Sequence, residues 1–418
     1  MHVAFFTNTY RPVVSGVVRS VDTFREGLVA LGHNVFIFAQ RADKYEDTVP
    51  FVFRYPSLDL PVTHQFPLII PVSRFVDRLL PSLKPDVIHS HHPFLLGQAA
   101  VDKAKKLNVP MVFTFHTRYR EYSHYVSLDQ DTVKAVIHHW LSDYMRDCHH
   151  IIVPSNSIKQ MLADEYGMDE QVTTLPTGIN LAPYRAADSQ SVREERGWGN
   201  DMVLISIGRL AKEKNWDTLI KAVAKVMQTH NDLRLVLIGE GEERKALQEL
   251  ARDLGVGDKV EFTGIVPYEE VPAHLKAANL FCFASVTETQ GLVTMEAMAA
   301  DLPVVAVEAT GTSDVVESGR DGLLTENNAN ALAQAIARVI DHPDLMAQLR
   351  EAAIQRAADF DMIRQAERLV AVYEQAAEDQ KAGRTVPIPK STKLIDAIVD
   401  GDSWLKVLGF DKDKWARA

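Results

Sequence analysis

Ten apolar runs of five to seven residues recur along this chain, rich in Val, Ile, Leu and Phe and mostly followed by stretches of helical periodicity. A strand buried on both faces reads as such a run, and a parallel sheet needs a crossover, usually helical, between successive strands. The alternation predicts an α/β architecture of parallel sheets covered by helices on both faces. The first set comprises His2–Thr7, Asn34–Ala39, Asp86–Ser90, Met111–His116 and His150–Ser155. The second comprises "MVLISIG", "LRLVLIG", "KVEFTG", "LFCFAS" and "PVVAVE".

At 418 residues the chain exceeds the size at which one core stops growing. The two sets are therefore read as two Rossmann-like units, residues 1–176 and 200–352, joined by a linker over 177–199. The stretch "LPTGINLAPYRAADSQ", rich in Pro, Gly, Asp and Ser, marks that junction. Helices follow over 353–383, with one long periodic segment from Ile354 to Glu378, and 384–418 is a tail. In the tail Leu394, Ile395, Ile398 and Val399 fall on one helical face, with Trp404 and Trp415 beyond, suited to packing on the protein itself or to a membrane or partner contact. Open α/β sheets bind ligands at the carboxyl ends of their strands, so a cleft between the units is the expected site.

No apolar run approaches the ~20 residues that span a bilayer. The N-terminus "MHVAFFTNTYRPVVSG" has no basic segment ahead of its apolar run, so no export is expected. Cys148 and Cys282 fall in different units, which gives no disulfide framework and no zinc spacing and suits a reducing cytoplasm. The net charge is −11, yet residues 1–190 hold 18 Lys+Arg against 19 Asp+Glu and 12 of the 15 histidines. Nucleic acid is disfavoured, since it would call for a strongly basic domain. A near-neutral first half is compatible with approach to an anionic surface.

Chemistry concentrates in "TETQGLVTME", where Glu288 and Glu296 lie eight positions apart around Gly291, between a strand and a helix. A helix N-terminus offers unpaired N–H groups and partial positive charge, so phosphate is its natural ligand. A glycosidase pair needs its carboxylates within roughly 5–9.5 Å, whereas eight helical residues rise about 12 Å. Separate roles on separate sugar rings suit the two acids better. In "SIGRLAKEKNWDTLI", Arg209 and Lys214 follow a strand end and offer cations to a diphosphate leaving group. Gly16 lies in the first strand-to-helix turn, whose amides could touch a phosphate, but the turn lacks a dinucleotide fingerprint. The histidine-rich "HSHHPF" and "FTFHTRYREYSHY" are read as polar loops at strand ends rather than as a metal site. The Asp-x-Asp strings follow no core strand, so no divalent-cation site is expected there.

Together these segments resemble the family 4 retaining glycosyltransferases of GT-B fold, whose signature is Glu, seven residues, Glu, here Glu288 to Glu296. The likeness extends through "GRLAKEKN", "LVLIGEGEER", "VEFTGIVPYEEV" and "GTSDVVESGRDGLL". It implies two Rossmann-like domains facing across a cleft, with a C-terminal helix crossing back to the first. By the same resemblance, Arg209 and Lys214 hold the donor diphosphate, Glu296 grips the nucleotide ribose, and Glu288 lies near the transferred sugar. Gly291 and Leu292 offer amides to the donor, His116 stands near the reacting sugar, and Gly16 belongs to the N-terminal loop. "VSGV" departs from the family's paired glycines, and "ATGTSDVV" from its "GG..EVV", with Thr310 for a glycine and Asp314 for the acid. Retention by front-face attack is implied, with the donor phosphate taking the acceptor proton, and neither metal nor other cofactor beyond the nucleotide sugar.

"TETQGL", "HSHHPFLLG" and "HTRYREYSHY" look most like bacterial diacylglycerol glucosyltransferases. That likeness implies UDP-glucose as donor, diacylglycerol as acceptor and peripheral placement on the inner face of the cell membrane. Residues Phe66 to Lys84 agree in part: Phe75, Val76, Leu79, Leu80 and Leu83 share a helical face beside Arg74, Arg78 and Lys84, as in an interfacial helix or a buried one. Alternatives remain: a GDP-mannose donor with phosphatidylinositol, a soluble sugar acceptor, a sugar-nucleotide epimerase, and a non-catalytic sugar-nucleotide-binding protein.

Overall fold

The structure, a computed structural model, describes residues 1–42, 45–58, 68–69, 71–118 and 130–388. The first sheet has seven parallel strands in the order Val52–Tyr55, Asn34–Gln40, His2–Thr7, Val87–Ser90, Met111–Thr114, His150–Val153, Val172–Thr174. The second has six, also parallel: Val260–Gly264, Leu233–Ile238, Met202–Ile207, Leu280–Phe283, Val304–Val307, Gly322–Thr325. All ten apolar runs are strands. Within these two sheets the three strands that the runs do not announce, Val52–Tyr55, Val172–Thr174 and Gly322–Thr325, lie at the edges, and the short strands Ser57–Leu58 and Leu68–Ile69 pair separately as an antiparallel ribbon. An edge strand has one neighbour and is half covered, so it can be short and need not be apolar throughout.

The central strand His2–Thr7 shows how the layers form. Ala4 and Phe6 pack on one face with Phe38, Tyr55 and Leu80. Val3 and Phe5 pack on the other with Val21, Phe24, Leu369 and Tyr373. Each Val, Leu or Phe side chain among them contributes about 1.5–3 kcal/mol by leaving water. Leu369 and Tyr373 belong to the helix Met362–Lys381, so a C-terminal helix does cross back to the first sheet.

The periodic segment from Ile354 to Glu378 is not one helix. Pro343–Ala358 and Met362–Lys381 are separated at Asp359–Asp361, where Asp361 accepts bonds from the backbone N–H of Ile363 (2.9 Å) and Arg364 (3.2 Å). An Asp whose side chain caps the following turn ends the helix before it, although the apolar spacing on both sides is intact. The break lets Ala353 and Ala357 stay in the second core while the next helix packs on the first. There the outgoing and returning chains run side by side: Ile179 N–H donates to Phe360 C=O (2.7 Å) and Met362 N–H to Ile179 C=O (3.0 Å). A Cβ on Gly178 would lie 2.7 Å from Met362 Cα, so the crossing requires glycine.

The helix Arg74–Leu83 also corrects its expected apolar face. Val76 and Leu80 are fully buried, and Leu79 and Leu83 half-buried, so the first core takes most of it. Phe75 (62% exposed) and Val72 (66%) stay outside, beside exposed Arg74, Arg78 and Lys84. Among the described residues no helix is long and apolar enough to cross a membrane. At the start of the tail, Val386 and Ile388 are buried against the first unit, with Val386 N–H donating to Cys148 C=O (2.9 Å). The face from Leu394 to Val399, Trp404 and Trp415 lie outside the described residues.

Candidate active site

The strand Met202–Ile207 delivers Arg209, and a single tight turn, Lys212–Lys214, delivers Lys214. Asn215, left-handed at φ 57°, opens the helix Trp216–Val226 and donates from Nδ2 to Ala284 C=O (3.1 Å), which ties this turn to the end of the neighbouring strand. Lys214 Nζ thereby lies 2.5 Å from Glu288 Oε1, which also accepts from Ser285 Oγ (2.8 Å). Arg209 pairs instead with Glu213, a residue the sequence reading passes over. Burial alone would raise the Glu213 carboxyl, but its own backbone N–H and the Arg209 guanidinium outweigh that and lower it.

Glu288 sits in a loop, and the helix Leu292–Ala299 begins only after Gly291. The segment between the two acids is therefore only partly helical, and a helical rise does not measure their separation. Their partners argue for separate roles instead. Gly291 at φ 76° makes the turn, and a Cβ on Gly311 would lie 2.7 Å from Glu288 C=O, so the loop rests directly on backbone. Glu296, 3% exposed, faces back to the cleft, with Oε1 2.6 Å from Arg19 Nη1 and 3.4 Å from the Tyr268 hydroxyl. The Arg19 guanidinium lies over the Tyr268 ring at 4.2 Å. Glu296 Oε2 is buried and accepts no bond from the protein.

Arg19 comes from the opposite wall, on the helix Gly16–Ala30. A Cβ on Gly16 would lie 3.5 Å from Leu292 Cδ1, so the first turns of two helices meet there, each with its partial positive end. On the same wall His116 follows the strand Met111–Thr114, which stops two residues earlier than its apolar run suggests. The other histidines correct the expectation of a polar loop. His91 stacks between His89 (4.3 Å) and His116 (5.3 Å), and its Nδ1 is 3.0 Å from His116 Nε2. His89 bonds to the Tyr373 hydroxyl (2.8 Å) and Thr114 Oγ1 (2.7 Å), while His92 Nδ1 accepts from Asn8 N–H (3.1 Å). Burial holds the pKa values of His91 and His116 well below the ordinary histidine value, so both are neutral at pH 7. Residues 119–125 of "HTRYREYSHY" lie outside the described residues.

Known proteins match over the same span. The description "Glycosyltransferase Family 4" fits residues 14–183, and "Glycosyl transferases group 1" fits 188–356. An alpha-monoglucosyldiacylglycerol synthase of Acholeplasma laidlawii is 32% identical over 84% of this chain and 90% of that protein. The chain belongs to the family 4 glycosyltransferases. A synthase of the same name from Streptococcus pneumoniae is 28% identical to this glycosyltransferase, over 82% of this chain and 80% of that one. Anabaena HepE, solved with UDP and glucose, superposes with a TM-score of 0.72 at 18% identity, over 90% of this chain and 99% of that one, which shows the GT-B fold.

In this glycosyltransferase Lys214 and Glu288 are brought together, Gly291, Leu292 and Glu296 share one loop and helix, and Gly16 and His116 stand on the opposite wall. Arg209 diverges toward Glu213. Sequence reasoning misses Arg19, although a helix starting at Gly16 places a residue three positions on over the same turn. It also misses Gln290, whose amide exchanges two bonds with the Thr177 backbone (both 3.0 Å). Asp314 accepts from Ser157 Oγ (2.5 Å) and Ser157 N–H (3.1 Å), so the acid at the departure from the family pattern joins the two domains.

Proposed function

We propose that this glycosyltransferase moves glucose from UDP-glucose to diacylglycerol with retention, as a peripheral protein on the inner face of the cell membrane. The observation that carries the donor half is the Lys214–Glu288 pair, 2.5 Å apart where two strands end beside the first turn of Leu292–Ala299. A diphosphate reaching this corner meets Lys214 and the amides of Gly291 and Leu292, and engages Arg209 by drawing it from Glu213, while Glu296 offers a carboxylate to the ribose hydroxyls. Fixed donors of this kind stabilise charge as it develops and need no reorganisation when the bond breaks. The C1–O bond to the β-phosphate breaks with its electron pair going to phosphate, the acceptor hydroxyl attacks C1 from the same face, and its proton passes to the departing phosphate oxygen. Glu288, neutralised by Lys214, stands near the transferred sugar as a hydrogen-bond acceptor.

The names of the two relatives support the acceptor half of the reading. The α-configuration in those names is what retention from an α-linked nucleotide sugar produces. Exposed Phe75 and Val72, with Arg74, Arg78 and Lys84 around them, suit an anionic lipid surface, since apolar side chains enter the interface while cations meet headgroups. Incubating the purified protein with UDP-glucose or GDP-mannose, against diacylglycerol, phosphatidylinositol and soluble sugars, tests the reading by mass spectrometry of products. Hexosyl-diacylglycerol made from UDP-glucose alone is the expected outcome. Donor turnover without acceptor, or tight donor binding without turnover, would replace it with an epimerase or a binder.

A further inference from the structure

We propose that His91 is a positioning residue that fixes His116 as a hydrogen-bond donor toward the cleft and prevents it from acting there as a base. The inference rests on His116 standing near the reacting sugar.

Proton count decides between two arrangements of the histidine pair. A neutral imidazole carries one N–H and one lone pair, so in the bond between His91 Nδ1 and His116 Nε2 (3.0 Å) one ring donates and the other accepts. If His116 donated, His91 would carry its proton on Nε2. That atom is buried and has no partner, and an orphaned buried N–H is among the rarest groups in folded proteins. If His91 donates from Nδ1, only a lone pair is left in the apolar interior. The second arrangement is the cheaper one, and it puts the His116 proton on Nδ1.

The surroundings keep this choice in place. His91 is fully buried, with Phe5 edge-on at 4.8 Å and His89 stacked at 4.3 Å. His89 is itself held at both nitrogens by Tyr373 and Thr114, so the stack has little freedom to turn. His116 is half-buried just beyond the end of the strand Met111–Thr114, and with its Nε2 turned to His91 its Nδ1 is the nitrogen left for a ligand. A donor there can hold a sugar hydroxyl oxygen, whereas a base would need its lone pair on that nitrogen. The assignment fits a reaction in which the leaving phosphate takes the acceptor proton.

Two measurements test it. Nitrogen-15 spectra of the imidazole rings in the full-length wild-type protein should show His116 protonated at Nδ1; protonation at Nε2 overturns the proposal without any variant. In kinetics, His91→Phe keeps a stacked ring but removes the donor, and should lower kcat on the order of ten-fold or more with little change in KM for the donor. His91→Asn restores an N–H near the same place and should recover much of that loss. His91→Asp offers only an acceptor, turns the His116 proton to Nε2, and should be at least as slow as the Phe variant. His116→Ala is the control: if it loses activity while His91→Phe does not, the positioning role falls and the reading of His116 stands. If His116→Ala is as active as wild type, both fall.

Discussion

Arg19 and Glu296 reach across the cleft from opposite domains and meet at 2.6 Å, with Glu296 3% exposed. The pair joins the first domain to the acid proposed to bind the ribose, and Tyr268 closes it from the side. Closure and donor binding therefore share one carboxylate.

Removing the cation leaves that carboxylate buried and uncompensated. Arg19→Ala should cost about 2 kcal/mol of stability, read by urea unfolding. Arg19→Met combined with Glu296→Gln should lose less than the single changes added together. Simple additivity would show that the pair does not couple the domains.

Lys214 and Glu296 should fail in different ways. Lys214→Ala removes a charge that acts on the leaving group, so kcat should fall on the order of 10²–10³. Glu296→Ala should mainly weaken donor binding, visible as a raised dissociation constant for UDP. Wild-type kinetics in either variant would sink that division of roles.

Buried histidines set an acid limit on stability. Burial pushes His89 down to about 3, and His92 and His150 to about 4. The unfolded chain takes up these protons near the ordinary value of 6.5, whereas the folded chain does not. Each group thus contributes stability that is present above pH 6.5 and is lost as pH falls toward 4 and then 3. His230, raised by its bond to Asp341, works the other way, its contribution fading as pH rises through its folded value. Unfolding free energy measured in urea should drop between pH 7 and pH 5, before most carboxylates titrate. A flat profile there would contradict the burial of the histidine stack.

The proposed membrane contact should divide into a salt-sensitive and a salt-insensitive part. Arg74→Ser and Arg78→Ser should each weaken binding to anionic liposomes by about 1 kcal/mol near the surface at low salt, with less effect as added salt shortens the Debye length. Phe75→Ser should weaken binding at every salt concentration. Equal binding by all three variants would remove this face from the interface.

The two large sheets were legible because strands buried on both faces are apolar almost throughout, as Val3–Phe6 and Val304–Val307 are. The edge strand Val172–Thr174 was not, because a strand with one neighbour needs no such run. The wall proposed for the donor draws on Lys214, Glu288, Gly291 and Glu296, which the sequence could single out because they lie close to two strand ends in the chain itself. Arg19 and the His91–His116 bond were not, because they depend on residues brought together from distant segments. Periodicity could not show the break at Asp361, since the apolar spacing continues on both sides of a cap.

Most decisive for the function proposed here is the identity and anomeric configuration of the product formed by the wild-type protein from UDP-glucose and diacylglycerol, read by mass spectrometry and the anomeric proton in NMR. An α-glucosyl diacylglycerol is expected. A β-linked product would contradict retention, and glucose found only on a soluble acceptor would contradict the lipid and the membrane surface.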